Sequence, residues 1–366
     1  MNRAMGATPG FATGWGADRD WRTAVAACLE RLEPVPERAD LGFLYVSDHL
    51  AGHASDILTV LRGRTGVDDW TGTTGIGVLA DGCQLFDTPG LVAMLATVGP
   101  ENRRLFPPTA ALPFAPWFGV LHADPRTPDL PQAIAGHAGE AGGYWVGGLT
   151  ATRGASPMIA RGVRDGGMAG VAFSEAVAVQ TGLSQGCTPI GPVHEITRGE
   201  SNLVVELDGR PAFEVLRAEM GEVLVRNLSR VPGFIFAGLP VSGVDRPDYL
   251  VRDLVGFDPG HGVIAIGGEI ATGERLMFCR RDAHAAATDM TRMLDDMQGR
   301  LDGRRPKAGL YYSCLGRGPN MFPEDRSEID MIAERFGGMP LAGFFCNGEV
   351  SNGRLYTYTG VLSLFV

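Results

Sequence analysis

Apolar residues recur along this chain in short blocks, and the spacing inside each block separates helix from strand. Trp21, Val25, Cys28, Leu29 and Leu32 share one side of a helix, and Pro34 and Pro36 stop it, so 21–32 is predicted helical. Leu41 to Val46 is continuously apolar over strand length and reads as a buried strand. A second helix is expected from about Asp48 to Leu61, followed by a glycine-rich turn over 71–78 (TGTTGIGV). Leu91 to Ala96 and Trp117 to Val120 are further strands, separated by a proline-rich loop over 107–116. A second glycine focus at 142–148 (GGYWVGG) precedes apolar blocks at 168–173 and 177–180.

From Gly182 a polar loop leads to a strand at 202–207, a turn at Asp208-Gly209, and a helix from Pro211 to about Met220. Val263 to Ile266 and Arg275 to Cys279 read as a pair of strands around a glycine-rich connector. Asp282 to Met297 is helical with Asp282 as its N-cap, and Glu328 to Phe336 is a helix stopped by Gly337-Gly338. Strands at 310–314 and 341–345 flank that last helix, and 355–364 closes the sheet. No short repeat, coiled coil or low-complexity tract shows beyond the first residues. The order predicts an α+β fold: layered sheets, mixed or antiparallel, covered by helices, in two domains of related size. A flexible lead-in occupies 1–16, and the domains are expected at 17–210 and 211–366.

Composition narrows the picture. Hydrophobic residues at 45% and charged residues at 20% are ordinary globular values. A formal net charge of −10 without a concentrated basic face argues against nucleic acid as a partner. No signal-peptide pattern opens the chain, and no apolar stretch is long enough to span a bilayer. The cysteines, Cys28, Cys83, Cys187, Cys279, Cys314 and Cys346, lack paired spacing, so a cytoplasmic protein with reduced thiols is expected. No phosphate-binding or dinucleotide signature is present, and no cofactor or metal is expected. His49 and His53 fall four apart on the second helix, sharing a face, without the further ligands zinc requires.

Two stretches carry a resemblance. One is 185–192 (QGCTPIGP) followed by 195–197 (EIT) and 202–216 (NLVVELDGRPAFEVL). The other is 312–318 (YSCLGRG), Glu328 and 340–349 (PLAGFFCNGE). In this order they resemble the FIST proteins, whose N-terminal and C-terminal FIST domains occur together. The resemblance implies a sensory role in prokaryotic signal transduction, binding a small molecule such as an amino acid and working with a separately encoded signalling protein. Where relatives often carry a thiol in an N-terminal turn, this chain has Gly72-Thr73-Thr74-Gly75, so hydroxyls replace it.

The candidate ligand residues follow strand ends. Cys314 is followed by Gly316, Arg317 and Gly318, where free backbone N–H groups and a guanidinium suit a carboxylate. Asn347, Gly348 and Glu349 follow the next strand, and Glu349 suits an amino group. Alternatively, Arg317 and Glu349 pair with each other. Thr73, Thr74 and Gln185 complete the set. A rival reading makes Cys314 the nucleophile of a cysteine-dependent enzyme for acyl transfer or thiol chemistry, with His194 or Glu349 as base.

Overall fold

The computed structural model describes residues 10–107, 114–221, 228, 231–241, 248–323 and 326–366. The fold is α+β, as expected: three mixed six-stranded sheets, one antiparallel sheet, and helices packed on them. The chain forms two compact units of unequal size. The larger reaches to Ser184 and resumes over Asp289–Leu355 and Thr359–Val366; the smaller is Gln185–Thr288 with Tyr356–Tyr358.

The larger unit contains one arrangement three times. The first sheet runs Phe11–Gly16, Leu91–Ala96, Leu41–Ser47, Trp70–Gly75, Pro157–Ala160, Gly162–Asp165. The second runs Arg103–Phe106, Met168–Phe173, Phe118–Ala123, Tyr144–Leu149, Glu349–Ser351, Arg354–Tyr356. The third runs Val179–Ser184, Gly360–Phe365, Ala308–Cys314, Leu341–Cys346, Gly77–Ala80, Cys83–Phe86. In each, the two central strands are parallel and their outer neighbours antiparallel. Each parallel pair is joined through a helix, respectively Ala54–Thr65, Leu130–Ala141 and Glu328–Phe336, as a parallel connection requires. The last hairpin of each sheet is supplied by the chain leaving another sheet. Gly77–Phe86 follows the first sheet's Trp70–Gly75 but joins the third, and the other two hairpins are exchanged in the same cyclic sense.

Registers make the equivalence residue by residue. Leu44 lies opposite Gly72, Leu121 opposite Gly147, and Tyr311 opposite Gly343. At each glycine a Cβ would fall 1.7–1.8 Å from the carbonyl oxygen of that opposite residue. The next residues, Tyr45, His122 and Tyr312, therefore occupy equivalent places, and their rings meet, with centroids 5.3, 5.8 and 6.1 Å apart. Phe43, Tyr45, Val92, Val120, Val171, Leu310, Tyr312 and Phe344 belong to one core shared by the three sheets. The opposite face of the first sheet packs Leu44, Val46, Ala93 and Leu95 against the helices Trp21–Leu32 and Ala54–Thr65. Strands covered on both faces carry the continuous apolar runs seen in the sequence.

In the smaller unit, six antiparallel strands close into a ring. Arg275–Arg281, His194–Glu200, Leu203–Leu207, Val263–Ile266, Asp248–Asp258 and Ile235–Val241 pair in that order, and the last pairs back to the first. Closure removes the free edges. Phe213, Val215 and Leu216 of the helix Ala212–Glu219 pack among Ile196, Val204, Leu207, Ile264 and Phe278.

Several expectations are corrected. The segment expected as a turn over 71–78 is the strands Trp70–Gly75 and Gly77–Ala80, and most of 142–148 is the strand Tyr144–Leu149. At Gly72 and Gly147 glycine is present because a neighbouring carbonyl leaves no room for a side chain, whereas Gly142 and Gly143, at positive φ, do turn the chain out of the preceding helix. The polar loop after Gly182 contains Cys187–Pro189 and His194–Glu200, both strands. Val263–Ile266 and Arg275–Arg281 form, but each pairs with other strands. Residues 355–364 do not close a sheet; Gly360–Phe365 sits inside the third one, between Val179–Ser184 and Ala308–Cys314. Asp48–His53 is a 3-10 turn before the helix Ala54–Thr65, so His49 and His53 share no α-helical face; His49 bonds Asp87 and His53 stacks on Trp21. The helix Leu130–Ala141 was not expected, since Gly136 and Gly139 dilute its pattern and only Leu130 and Ile134 are buried. Much of the proline-rich loop, 108–113, lies outside the described residues.

Candidate functional sites

Most of the candidate residues gather at the carboxyl ends of Ala308–Cys314 and Leu341–Cys346, where Cys314 and Cys346 stand in register. Arg317 follows the first strand and is completely buried. Its partner is Glu328, the first residue of the helix Glu328–Phe336, with Nε and Nη2 each 2.8 Å from Oε1. Glu328 also accepts hydrogen bonds from Tyr311, from Ser313 and from the Gly318 N–H. Burial alone would depress the Arg317 pKa, and the adjacent Glu328 carboxylate more than reverses this, holding the guanidinium charged. Arg317 Nη2 also donates to Ser184 Oγ at 3.2 Å. Gly318 is glycine for a local reason: its φ is +51° and a Cβ would meet the Phe345 ring.

Glu349 is also completely buried, but on different partners. Its Oε2 accepts from the Thr359 N–H at 3.0 Å and the Thr359 hydroxyl at 2.6 Å, and its Oε1 accepts from Cys346 Sγ at 3.1 Å. Burial pushes its carboxyl up to about 7, while the hydrogen bonds from Thr359 and Cys346 and the Arg317 charge pull the other way. The Cys346 thiol is driven well above its ordinary value by burial and by Glu349. Cys314 is buried, Gly316 half-buried, and Asn347 exposed with its N–H on the Leu149 carbonyl. The Gly348 carbonyl accepts from the Leu149 N–H.

Thr73 and Thr74 lie on the equivalent strand of the first sheet, both fully buried. Thr73 Oγ1 is 2.8 Å from Thr150 Oγ1 and bonds the Pro157 carbonyl, whereas Thr74 Oγ1 has no hydrogen-bond partner among the described residues. Gln185 belongs to the smaller unit, where its Nε2 donates to Asp248 and to the Tyr249 carbonyl.

Sequence reasoning missed a second constellation in the smaller unit. A pocket of about 400 Å³ is lined by Pro189, Ile190, Glu219, Met220, Gly221, Phe234, Ile235 and Arg280. Its lining exposes more polar than apolar surface, Phe234 is exposed, and its two charges have opposite sign. Glu219 Oε1 is bound by His194 Nε2 at 2.7 Å, and its buried Oε2 has no hydrogen-bond partner among the described residues. The other ring nitrogen, His194 Nδ1, is 2.6 Å from Asp208 Oδ2. Burial lowers the imidazole pKa, but the two carboxylates outweigh it, and His194 titrates above its ordinary range. Both ring nitrogens of His194 are thus engaged by carboxylates. No motif marks this pocket, because its residues come from separate strand and helix ends. A signal was present in Gly191: a Cβ there would lie 2.1 Å from Glu219 Oε2.

Two family models match the chain: the FIST N domain over residues 40–210 and the FIST C domain over 212–352. The chain is similar to uncharacterized protein Rv0628c of Mycobacterium tuberculosis, 34% identical over 216 residues, which cover 56% of this chain and 55% of that protein. It is also similar to uncharacterized protein Mb0898c of Mycobacterium bovis, 33% identical over 213 residues, covering 56% and 53%. The chain thus spans about half the length of the curated relatives it matches.

Proposed function

This chain belongs to the FIST family of sensory signal-transduction domains, and we propose that it senses a free amino acid in the pocket of its smaller unit. The carrying observation is Glu219, which lines a pocket that also presents Arg280, is held by His194 through Oε1, and among the described residues has no hydrogen-bond partner at Oε2. A buried carboxylate oxygen without a donor is unfavourable, and a ligand ammonium would satisfy it with a charge-assisted hydrogen bond. Arg280 offers a fork for the ligand carboxylate, and Ile190, Met220, Phe234 and Ile235 offer an apolar wall for its side chain. The lining favours an aliphatic amino acid over a nucleotide or nucleic acid.

Arg317, Glu328 and Glu349 then serve the larger unit by fixing the loops after its parallel strands. In this reading the protein works in the cytoplasm, without cofactor or metal, and reports occupancy to a separately encoded signalling protein. Among the described residues no helix is long and apolar enough to cross a membrane. The test is thermal unfolding with each of the twenty amino acids, beside isopentylamine and 4-methylpentanoate as the amine and acid halves of leucine. A ligand at a hundred times its Kd adds about 2.7 kcal/mol of stability. L-leucine should raise Tm, neither half-molecule should match it, and Glu219→Gln and Arg280→Ala should each abolish the rise. A rise that survives in the double variant places the site elsewhere.

A further inference from the structure

We infer that His194 couples this pocket to pH, because its imidazolium and the ligand ammonium compete for one carboxylate. The inference rests on the pocket reading above and adds its regulation. The geometry sets the protonation state. Neutral imidazole donates from only one nitrogen, whereas both nitrogens here face carboxylate oxygens, Nδ1 on Asp208 and Nε2 on Glu219. Both contacts are satisfied together when the ring is doubly protonated. The surrounding elements supply few other charges. On the neighbouring strand Arg275–Arg281, His194 is in register with Leu276, and the adjacent Glu195 contributes its N–H to Asp208 Oδ1. Arg210 acts on Asp208, and Arg280 lines the pocket.

With the ring charged, Glu219 Oε1 is already committed to a cation, and a second cation arriving at Oε2 meets repulsion across one carboxyl group. Binding of the ammonium therefore favours loss of the His194 proton to solvent. By reciprocity, loss of that proton strengthens ammonium binding by the same factor. Neutral His194 still donates to one carboxylate, so the ring remains held while Glu219 turns its full charge to the ligand. Since the two carboxylates raise the His194 pKa, the gain falls at higher pH than the titration of an ordinary imidazole.

The test is calorimetric titration of the full chain with L-leucine at pH 6.0, 7.0, 8.0 and 8.5, each in two buffers of different ionisation heat. The ligand ammonium stays charged throughout. Affinity should rise about tenfold across the series, with proton release at the lower pH values. Imidazole 15N shifts should show both His194 nitrogens protonated at neutral pH and the ring pKa falling when leucine is added. His194→Gln should bind with no pH dependence over this range. If that variant does not fold, Asp208→Asn should move the profile to lower pH. Leucine binding that is flat with pH and releases no proton, or a ring already neutral at pH 6, overturns the inference and leaves the pocket standing. No leucine binding at any pH overturns the pocket reading, and the inference with it.

Discussion

The two units handle buried charge in opposite ways. In the larger, Arg317 meets Glu328, Glu328 collects further donors from Tyr311, Ser313 and Gly318, and Glu349 is closed by Thr359 and Cys346. In the smaller, Glu219 is bound through one oxygen and left open at the other. A satisfied network fixes a structure, while an incomplete one needs something from outside to complete it. The contrast teaches where a ligand can be proposed: at a charged group whose hydrogen bonding the described residues leave incomplete, as at Glu219.

The largest effect should come from breaking the closed network. Glu328→Ala strands the Arg317 charge and should cost about 3–5 kcal/mol in denaturant unfolding. The double replacement Arg317→Met with Glu328→Leu should cost less than the single change. If Glu328→Ala unfolds normally but loses leucine binding, the division of labour between the units is wrong. Next come the equivalent glycines. Gly72→Ala, Gly147→Ala and Gly343→Ala each drive a methyl into a neighbouring carbonyl and should each cost about 2–3 kcal/mol. Similar losses at all three would confirm their equivalence, and a loss confined to one would break it.

Two pH effects of opposite sign are smaller. Burial holds His122 down at about 3, so it is neutral in the fold. Its contribution is present above the unfolded value of about 6.5 and is lost as pH falls from there toward 3. His122→Phe should flatten that acid slope in unfolding measured from pH 7 to 4. Glu349, raised to about 7, contributes stability that is full below its ordinary value of 4.5 and lost as pH rises through about 7. Glu349→Gln should therefore gain on the wild type between pH 5 and 8. The smallest stability change belongs to Arg280→Ala, on a half-exposed side chain: under about 0.5 kcal/mol, with leucine binding lost.

Much of the local structure was legible in the sequence. The helices Trp21–Leu32 and Glu328–Phe336 and the strands Leu91–Ala96 and Met168–Phe173 follow directly from apolar spacing and punctuation. The threefold arrangement was not. Its equivalent positions hold Tyr45, His122 and Tyr312, two tyrosines and a histidine alike in burial, too sparse a likeness to show as a repeat in the sequence. Of the shared glycines, Gly72 falls in a segment expected as a turn and Gly343 in an expected strand, because glycine alone does not tell a bend from a close approach. The candidate site was legible in part. Arg317 and Glu349 stood out as charges at strand ends, but their partners, Glu328 and Thr359, are set by packing that no spacing shows. Glu219 and Arg280 lie in ordinary contexts, and only the closed ring of strands brings them together. The family models divide the chain between 210 and 212, whereas the compact units part at Ser184. The chain departs from Val179–Ser184 to build the smaller unit before it returns to the third sheet.

The exchanged hairpins carry a consequence for how the protein is made. As the chain leaves the ribosome, Gly77–Phe86 emerges long before the strand it pairs with, Leu341–Cys346. At about 5–20 residues per second, this hairpin waits roughly 10–50 s for its neighbour. Throughout that delay Val78 and Leu79, buried in the finished protein, have no native sheet to join. Newborn chains should therefore be strong clients of chaperones that shield apolar strands, and slow translation or premature termination should send them toward aggregation rather than toward a usable fragment.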